Sequence, residues 1–125
     1  MDLVPLRPAA GRQLIERYGP TGFRVAGVIH NGPILVFPER TLAWTATCPA
    51  AVTAESLLPV VEHGAVQILL IGFGRRAEAP ASALRAELRR AGIAVEAMDT
   101  GAACRTYNVL LAEDRRVAAA LIPPE

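Results

Sequence analysis

From Thr53 onward, apolar residues recur at helical spacing in three stretches, and each stretch is followed by a short β-rich run. "TAESLLPVVEHG" offers Thr53 as an N-cap, Leu57, Val60 and Val61 as an apolar stripe, and Gly64 as a C-terminal stop. "VQILLIGFG" is apolar without interruption over Val66 to Phe73, which predicts a strand buried on both faces. In "PASALRAELRRAG", Pro80 suits a first helical turn. Leu84, Leu88 and Ala91 line one face, Arg85 and Arg89 another, and Gly92 ends the helix. "IAVEAMDT" predicts the next strand, "GAACRTYNVLLAED" the next helix, and "RRVAAALI" a last strand closed by Pro123-Pro124. This alternation predicts an α/β layered domain with a largely parallel sheet covered by helices. Val66–Phe73 and Ile93–Met98, joined through an amphipathic helix, are expected to be neighbouring or near-neighbouring central strands.

The first third follows a different rhythm. Residues 1–20 predict an irregular lead-in with a short turn of helix near Gly11 to Tyr18. "FRVAGVIHNGPILVFPERTLAW" holds two β-rich runs around Asn31-Gly32, a pair suited to a tight hairpin because both central residues tolerate positive φ. Pro33 and Pro38 cannot donate ladder hydrogen bonds, so the second run is expected at a sheet edge or bent. The segment predicts a peripheral β-ribbon.

With 125 residues, the chain has the length of one domain with one continuous core, so residues 1–125 are expected to form a single domain. A 52% hydrophobic fraction excludes a disordered chain, while the longest apolar runs are too short to cross a bilayer. Pro5, Pro8 and Glu16 interrupt any secretory signal pattern, and the expected location is cytoplasmic without direct membrane insertion. Thirteen basic and twelve acidic residues leave a formal charge of +1 with no basic stripe, so nucleic acid is not an expected partner. All thirteen cations are arginine, which removes Schiff-base chemistry and a P-loop lysine. Cys48 and Cys104 are too few for a disulfide framework, and with His30 and His63 they do not make a zinc set. Neither a metal nor a cofactor is expected.

In sheets of this type ligands settle outside the carboxyl ends of the strands, where two loops qualify. In "GFGRR", Gly72 and Gly74 permit close backbone approach, and Arg75 and Arg76 could grip an anion. Gly-x-Gly without the rest of a dinucleotide fingerprint does not predict NAD binding. In "MDTGAACRTYN", Asp99 or Thr100 can cap the helix and Gly101 keeps its partly positive end accessible. Ala103, Tyr107, Leu110 and Leu111 should face the sheet, Tyr107 needing a partner for its hydroxyl. Cys104 and Asn108 share another flank, while Arg105 projects from the first turn. A first-turn thiol near a cation has a physical case for reactivity, but beside Ala102 and Ala103 the expectation for Cys104 is an ordinary buried thiol. Asp99 beside Arg105 favours an internal ion pair over anion capture. The two loops are thus expected at one end of the sheet, edging a shallow cleft of mixed charge that binds anions weakly.

"YGPTGFRVAGVIHNGPILVFPERTLAW", "ILLIGFG" and "AGIAVEAMDTGAACRTYNVLLAEDRRVAAALI" resemble a small domain-of-unknown-function family of bacteria, archaea and eukaryotes, whose mitochondrial members assist assembly of respiratory complex I. The likeness runs from Tyr18 to Ile122, with "MDTGAACRTYN" its most specific part, and places the family domain at 21–125. It implies a three-layer fold with a mixed central sheet, helices and an additional β-layer. It also implies non-catalytic assembly partners working with a second assembly factor. A vertebrate cytosolic relative is linked to adipogenesis, and no catalytic residues carry over. The chain looks like a bacterial member, acting through a partner at the inner face of the cytoplasmic membrane.

Two functional readings follow. One is a protein-binding, assembly-factor-like module with a protein partner, using an edge-prone β-ribbon and Trp44, with room for a homo-oligomer. The other is a small-molecule or anion-binding enzyme using the strand-end cleft, with Arg75, Arg76, Asp99, Cys104 and Arg105 as its groups. For Trp44 the plainer expectation is core filling.

Overall fold

The computed structural model describes residues 11–124. Five strands form a central sheet in the order β5 (Thr41–Ala43), β4 (Ile34–Val36), β8 (Val117–Leu121), β6 (Ile68–Gly72) and β7 (Ala94–Met98). β6 is parallel to both β8 and β7, whereas β4 runs antiparallel to β8 and β5, so the sheet is mixed. A second, antiparallel sheet joins β1 (Ile15–Gly19), β2 (Gly22–Val25) and β3 (Val28–Asn31).

The period-two alternation of the central strands creates two apolar faces. Leu35, Leu69, Ile71, Ala118 and Ala120 point to one side, where Leu57 and Val60 from around α1 (Leu58–His63) and Leu84 and Leu88 from α2 (Ser82–Arg90) meet them. Ile34, Val36, Leu70, Val117, Ala119 and Leu121 point to the other. That face receives α3 (Thr100–Ala112) through Ala103, Tyr107 and Leu111, and the small sheet through Ile15, Tyr18, Phe23 and Val25. The result is the expected three-layer α/β domain.

Three expectations about strands change. Ile15–Gly19 is a strand rather than a lead-in with a helical turn. A register shift between Ile15 and Arg17 puts Ile15 and Tyr18, three residues apart, into the same core, which imitates helical spacing. The expected turn at Asn31-Gly32 does not join two paired strands, because β3 pairs with β2 and β4 with β5 and β8. The hairpin turns at Ala26-Gly27 instead, with φ of 48° and 82°. The strained Ala26 is tolerated there because the Gly27 amide is anchored on the Glu16 carboxylate at 2.6 Å. Gly32 donates to Thr21 O at 2.8 Å, prolonging the β2–β3 ladder before Pro33 leads the chain across to the other sheet.

The second β-rich run is bent, as one of its two expected outcomes had it, breaking at Phe37–Arg40 into β4, inside the sheet, and β5, its edge strand. Pro33 and Pro38 flank the three residues of β4 and so cost no ladder bonds. The Ile93–Met98 run does pair with β6 as expected, but it is the sheet's other edge rather than a central strand. The connection through α3 passes to the far side of β6, making β6 and β8 the inner parallel pair. Two helix starts also move: Thr53 closes a turn with Ser56 ahead of α1, and Pro80 precedes α2.

At Gly22 a Cβ would lie 2.1 Å from the His30 carbonyl oxygen across the β2–β3 ladder. Gly22→Ala is therefore expected to cost about 1–3 kcal/mol by overpacking. Chemical denaturation should show the loss, and amide exchange should accelerate in β2 and β3 before β6.

Candidate functional site

The two candidate loops do meet at the carboxyl ends of the parallel strands, joined by Thr100. Its backbone N–H donates to Gly74 O at 2.8 Å. Its buried hydroxyl accepts from the Gly74 N–H at 2.8 Å and donates to Ile122 O at 2.5 Å. One side chain thus laces the segments that leave β6, β7 and β8. Gly72 leaves room for it, since a Cβ there would lie 2.9 Å from both Thr100 Cα and Oγ1.

This lacing closes the space between the two loops. Gly72, Thr100, Gly101, Cys104 and Asn108 are buried. Asp99 is the N-cap, its carboxylate accepting from Ala102 N at 2.9 Å. The expected Asp99–Arg105 ion pair does not form: Arg105 Nη1 donates to the Tyr18 hydroxyl at 3.4 Å, on a strand the sequence did not suggest. The helix start is not accessible either, because Tyr18 seals it. A Cβ on Gly101 would lie 2.6 Å from that hydroxyl.

Asn108 acts on β1 as a neighbouring strand would. Its Oδ1 accepts from Ile15 N at 3.0 Å and its Nδ2 donates to Ile15 O at 2.8 Å, both within the core. Cys104 is fully buried, and burial pushes its thiol from 9.0 up to about 12, against the opposing pull of Arg105. The Tyr107 hydroxyl finds no hydrogen-bond partner among the described residues, contrary to expectation. Burial drives its pKa well above the ordinary phenol range, with Arg12 opposing and Glu39 adding to the shift.

The open space lies to one side of the lacing. A cavity of about 540 Å³ takes Gly74, Arg75 and Arg76 from the first loop, with Thr47, Cys48 and Glu78 as polar neighbours and Phe73 as an apolar wall. Arg75 and Arg76 are exposed. Sequence reasoning did not place Thr47 or Cys48 at a site, since both lie in an irregular segment after β5 with no periodic signal. Trp44 is buried rather than presented to an interface, its indole N–H donating to Ser56 O at 2.8 Å. No helix among the described residues is long and apolar enough to cross a membrane.

A three-layer α/β domain whose strand ends are locked by a threonine and whose helix carries a β1-clamping asparagine defines the class structurally. The match to known proteins defines it by descent. Residues 15–122 match the model of a family of proteins of unknown function (DUF498/DUF598), and the chain belongs to that family. An uncharacterised protein of Rhodobacter capsulatus is 38% identical over 97% of this chain and 94% of its own length. The NADH dehydrogenase [ubiquinone] 1 alpha subcomplex assembly factor 3 of Danio rerio is 38% identical over 94% of this chain and 68% of its own length. Among solved structures, one described as an outer membrane protein from Bartonella henselae superposes with a TM-score of 0.85 at 41% identity. That superposition covers 92% of this chain and 98% of that one.

Removing the lacing hydroxyl with Thr100→Val leaves the Gly74 amide and Ile122 carbonyl short of a partner, at about 1–3 kcal/mol each. A clear fall in the thermal midpoint is expected, and Asn108→Ala should produce a fall of the same kind through Ile15. The Cys104 thiol has a second signature. Between pH 9 and 12 the unfolded chain releases a proton that the folded chain retains, so stability falls as pH rises across that window. Denaturation at a series of pH values should show a shallower decline in Cys104→Ala, and at pH 8 a thiol reagent should modify exposed Cys48 well before Cys104.

Proposed function

We propose that this chain is a non-catalytic protein-interaction module, assembly-factor-like, that assists construction of a respiratory enzyme of the NADH dehydrogenase type from the cytoplasmic side of the membrane. The observation that carries the reading is the likeness to a named assembly factor, 38% identical across 94% of the chain. The strand-end chemistry supports it, because groups that could act on a substrate are engaged in holding the fold. The Thr100 hydroxyl is spent on Gly74 and Ile122, the Asp99 carboxylate on the Ala102 amide, and the Cys104 thiol is buried.

A second reading has one observation in its favour. The cavity beside Arg75 and Arg76 is large enough for a small anionic molecule. That reading makes the chain an anion-binding protein or enzyme.

The experiment is a chromosomal tag and a deletion in the native organism. Co-purification of dehydrogenase subunits, together with a several-fold loss of assembled enzyme on native gels after deletion, is expected. An unchanged amount of assembled enzyme in the deletion strain sinks the assembly reading. Saturable binding of phosphate or a phosphorylated metabolite, abolished in Arg75→Ala/Arg76→Ala, would promote the second.

A further inference from the structure

The strand-end cavity carries a nucleophile as well as cations. Cys48 is exposed and lines it together with Arg75, Arg76 and Glu78, while Phe73 forms an apolar wall. Neither arginine makes an ion pair or a side-chain hydrogen bond among the described residues, and Glu78 pairs with neither of them. A thiol, two uncommitted guanidinium groups and one uncommitted carboxylate thus share a space of about 540 Å³. That volume lies inside the range of about 300–1,000 Å³ usual for small-molecule sites.

These groups reach the cavity from two separate stretches of chain, and each stretch is anchored. Gly74, with a φ of 97°, turns the chain out of β6, and Thr100 holds both of its backbone groups. The loop that presents Arg75 and Arg76 is therefore fixed at its root. On the other side, the Cys48 carbonyl accepts from Ala51 N at 3.0 Å and closes the short helical turn Pro49–Ala51. Cys104 is fully buried, so Cys48 is the thiol that a solute can reach.

We propose that this cavity binds a small thiol peptide bearing two carboxylates and one ammonium group, and that Cys48 takes it up as a mixed disulfide. The proposal rests on the reading of the cavity as an anion site and names its ligand. The carboxylates answer Arg75 and Arg76, and the ammonium answers Glu78. The charges then match, because two arginines and one glutamate leave one positive charge and the ligand carries one negative charge. A phosphate would satisfy the arginines but would face Glu78 without a cation and leave Cys48 idle. The co-reactant is the symmetrical disulfide of the same thiol. The Cys48 thiolate attacks one of its sulfurs, a new S–S bond forms and the old one breaks. The departing half leaves as a thiolate and takes up a proton, so its reduction balances the oxidation of Cys48.

The test follows disulfide exchange at Cys48 by intact mass, using glutathione disulfide, its N-acetylated form and cystamine, each rate divided by that of a blocked cysteine with the same reagent. Glutathione disulfide is expected to react about tenfold or more faster than cystamine, and added salt should narrow the difference. Arg75→Ala/Arg76→Ala should remove it with an unchanged thermal midpoint. The N-acetylated form, more negative but without the ammonium, should react several-fold slower than glutathione disulfide and lose that disadvantage in Glu78→Gln. In Cys48→Ala, S-methylglutathione should bind saturably and shift the amides of Gly74 to Arg76, which separates recognition from reaction. Equal normalised rates for glutathione disulfide and cystamine, a faster N-acetylated form, or unshifted amides at millimolar S-methylglutathione would each overturn the proposal. If inorganic phosphate nevertheless binds saturably and Arg75→Ala/Arg76→Ala abolishes that binding, the anion reading stands without the thiol ligand. If phosphate fails to bind as well, the anion reading falls with it.

Discussion

Every residue of β8 is buried, and the rest of the architecture answers to that constraint. A strand covered on both faces needs apolar layers above and below it, and all of its backbone groups need partners within the protein. β4 and β6 supply the ladders, one antiparallel and one parallel. Ala118, Ala119 and Ala120 leave room for large neighbours from both sides, and Tyr107, the largest fully buried side chain, shares a layer with Ala119. Where β8 ends, Thr100 takes the Ile122 carbonyl and binds the same point to the loop after β6. The small sheet completes the second layer, because α3 alone does not cover Ile34 and Val36 in β4.

The same constraint explains why a stretch that looks like an active site is mainly structural. Asp99, Thr100, Gly101, Cys104, Arg105 and Asn108 crowd into α3 because this helix meets three things at once: the ends of the parallel strands, the inner face of the sheet, and the closed edge of β1. Asp99 and Thr100 satisfy amides and carbonyls at the first junction, Cys104 fills space at the second, and Asn108 serves the third. Gly101 is small because Tyr18 lies against it, and Arg105 steadies that phenol. A polar group can be indispensable without touching a ligand when the alternative is an unsatisfied buried backbone.

Surfaces are left for function in two places of different character. The strand-end cavity offers exposed cations around an apolar wall, and β3, at the margin of the small sheet, offers exposed aliphatic side chains. Asn108 and Arg85 show side chains engaging strand-edge backbone elsewhere, at Ile15 and Val95.

The sequence by itself determined the α/β class, the strand and helix character of residues 53–122, a cap at Asp99 or Thr100 and the apolar face of α3, because each rests on periodicity or on contacts within one turn. Only the tertiary structure decided where strands lie in the sheet, since β7 and β8 exchange edge and centre through the path of one connection. It also decided which glycine pair turns the hairpin, because Ala26-Gly27 is favoured by the Glu16 carboxylate and by strand pairing rather than by its own propensity. The strand at Ile15–Gly19 was not legible because a bulge shifts its period. The partners of Thr100, Cys104, Arg105 and Asn108 come from segments as far as 93 residues away, a distance over which local spacing carries no information.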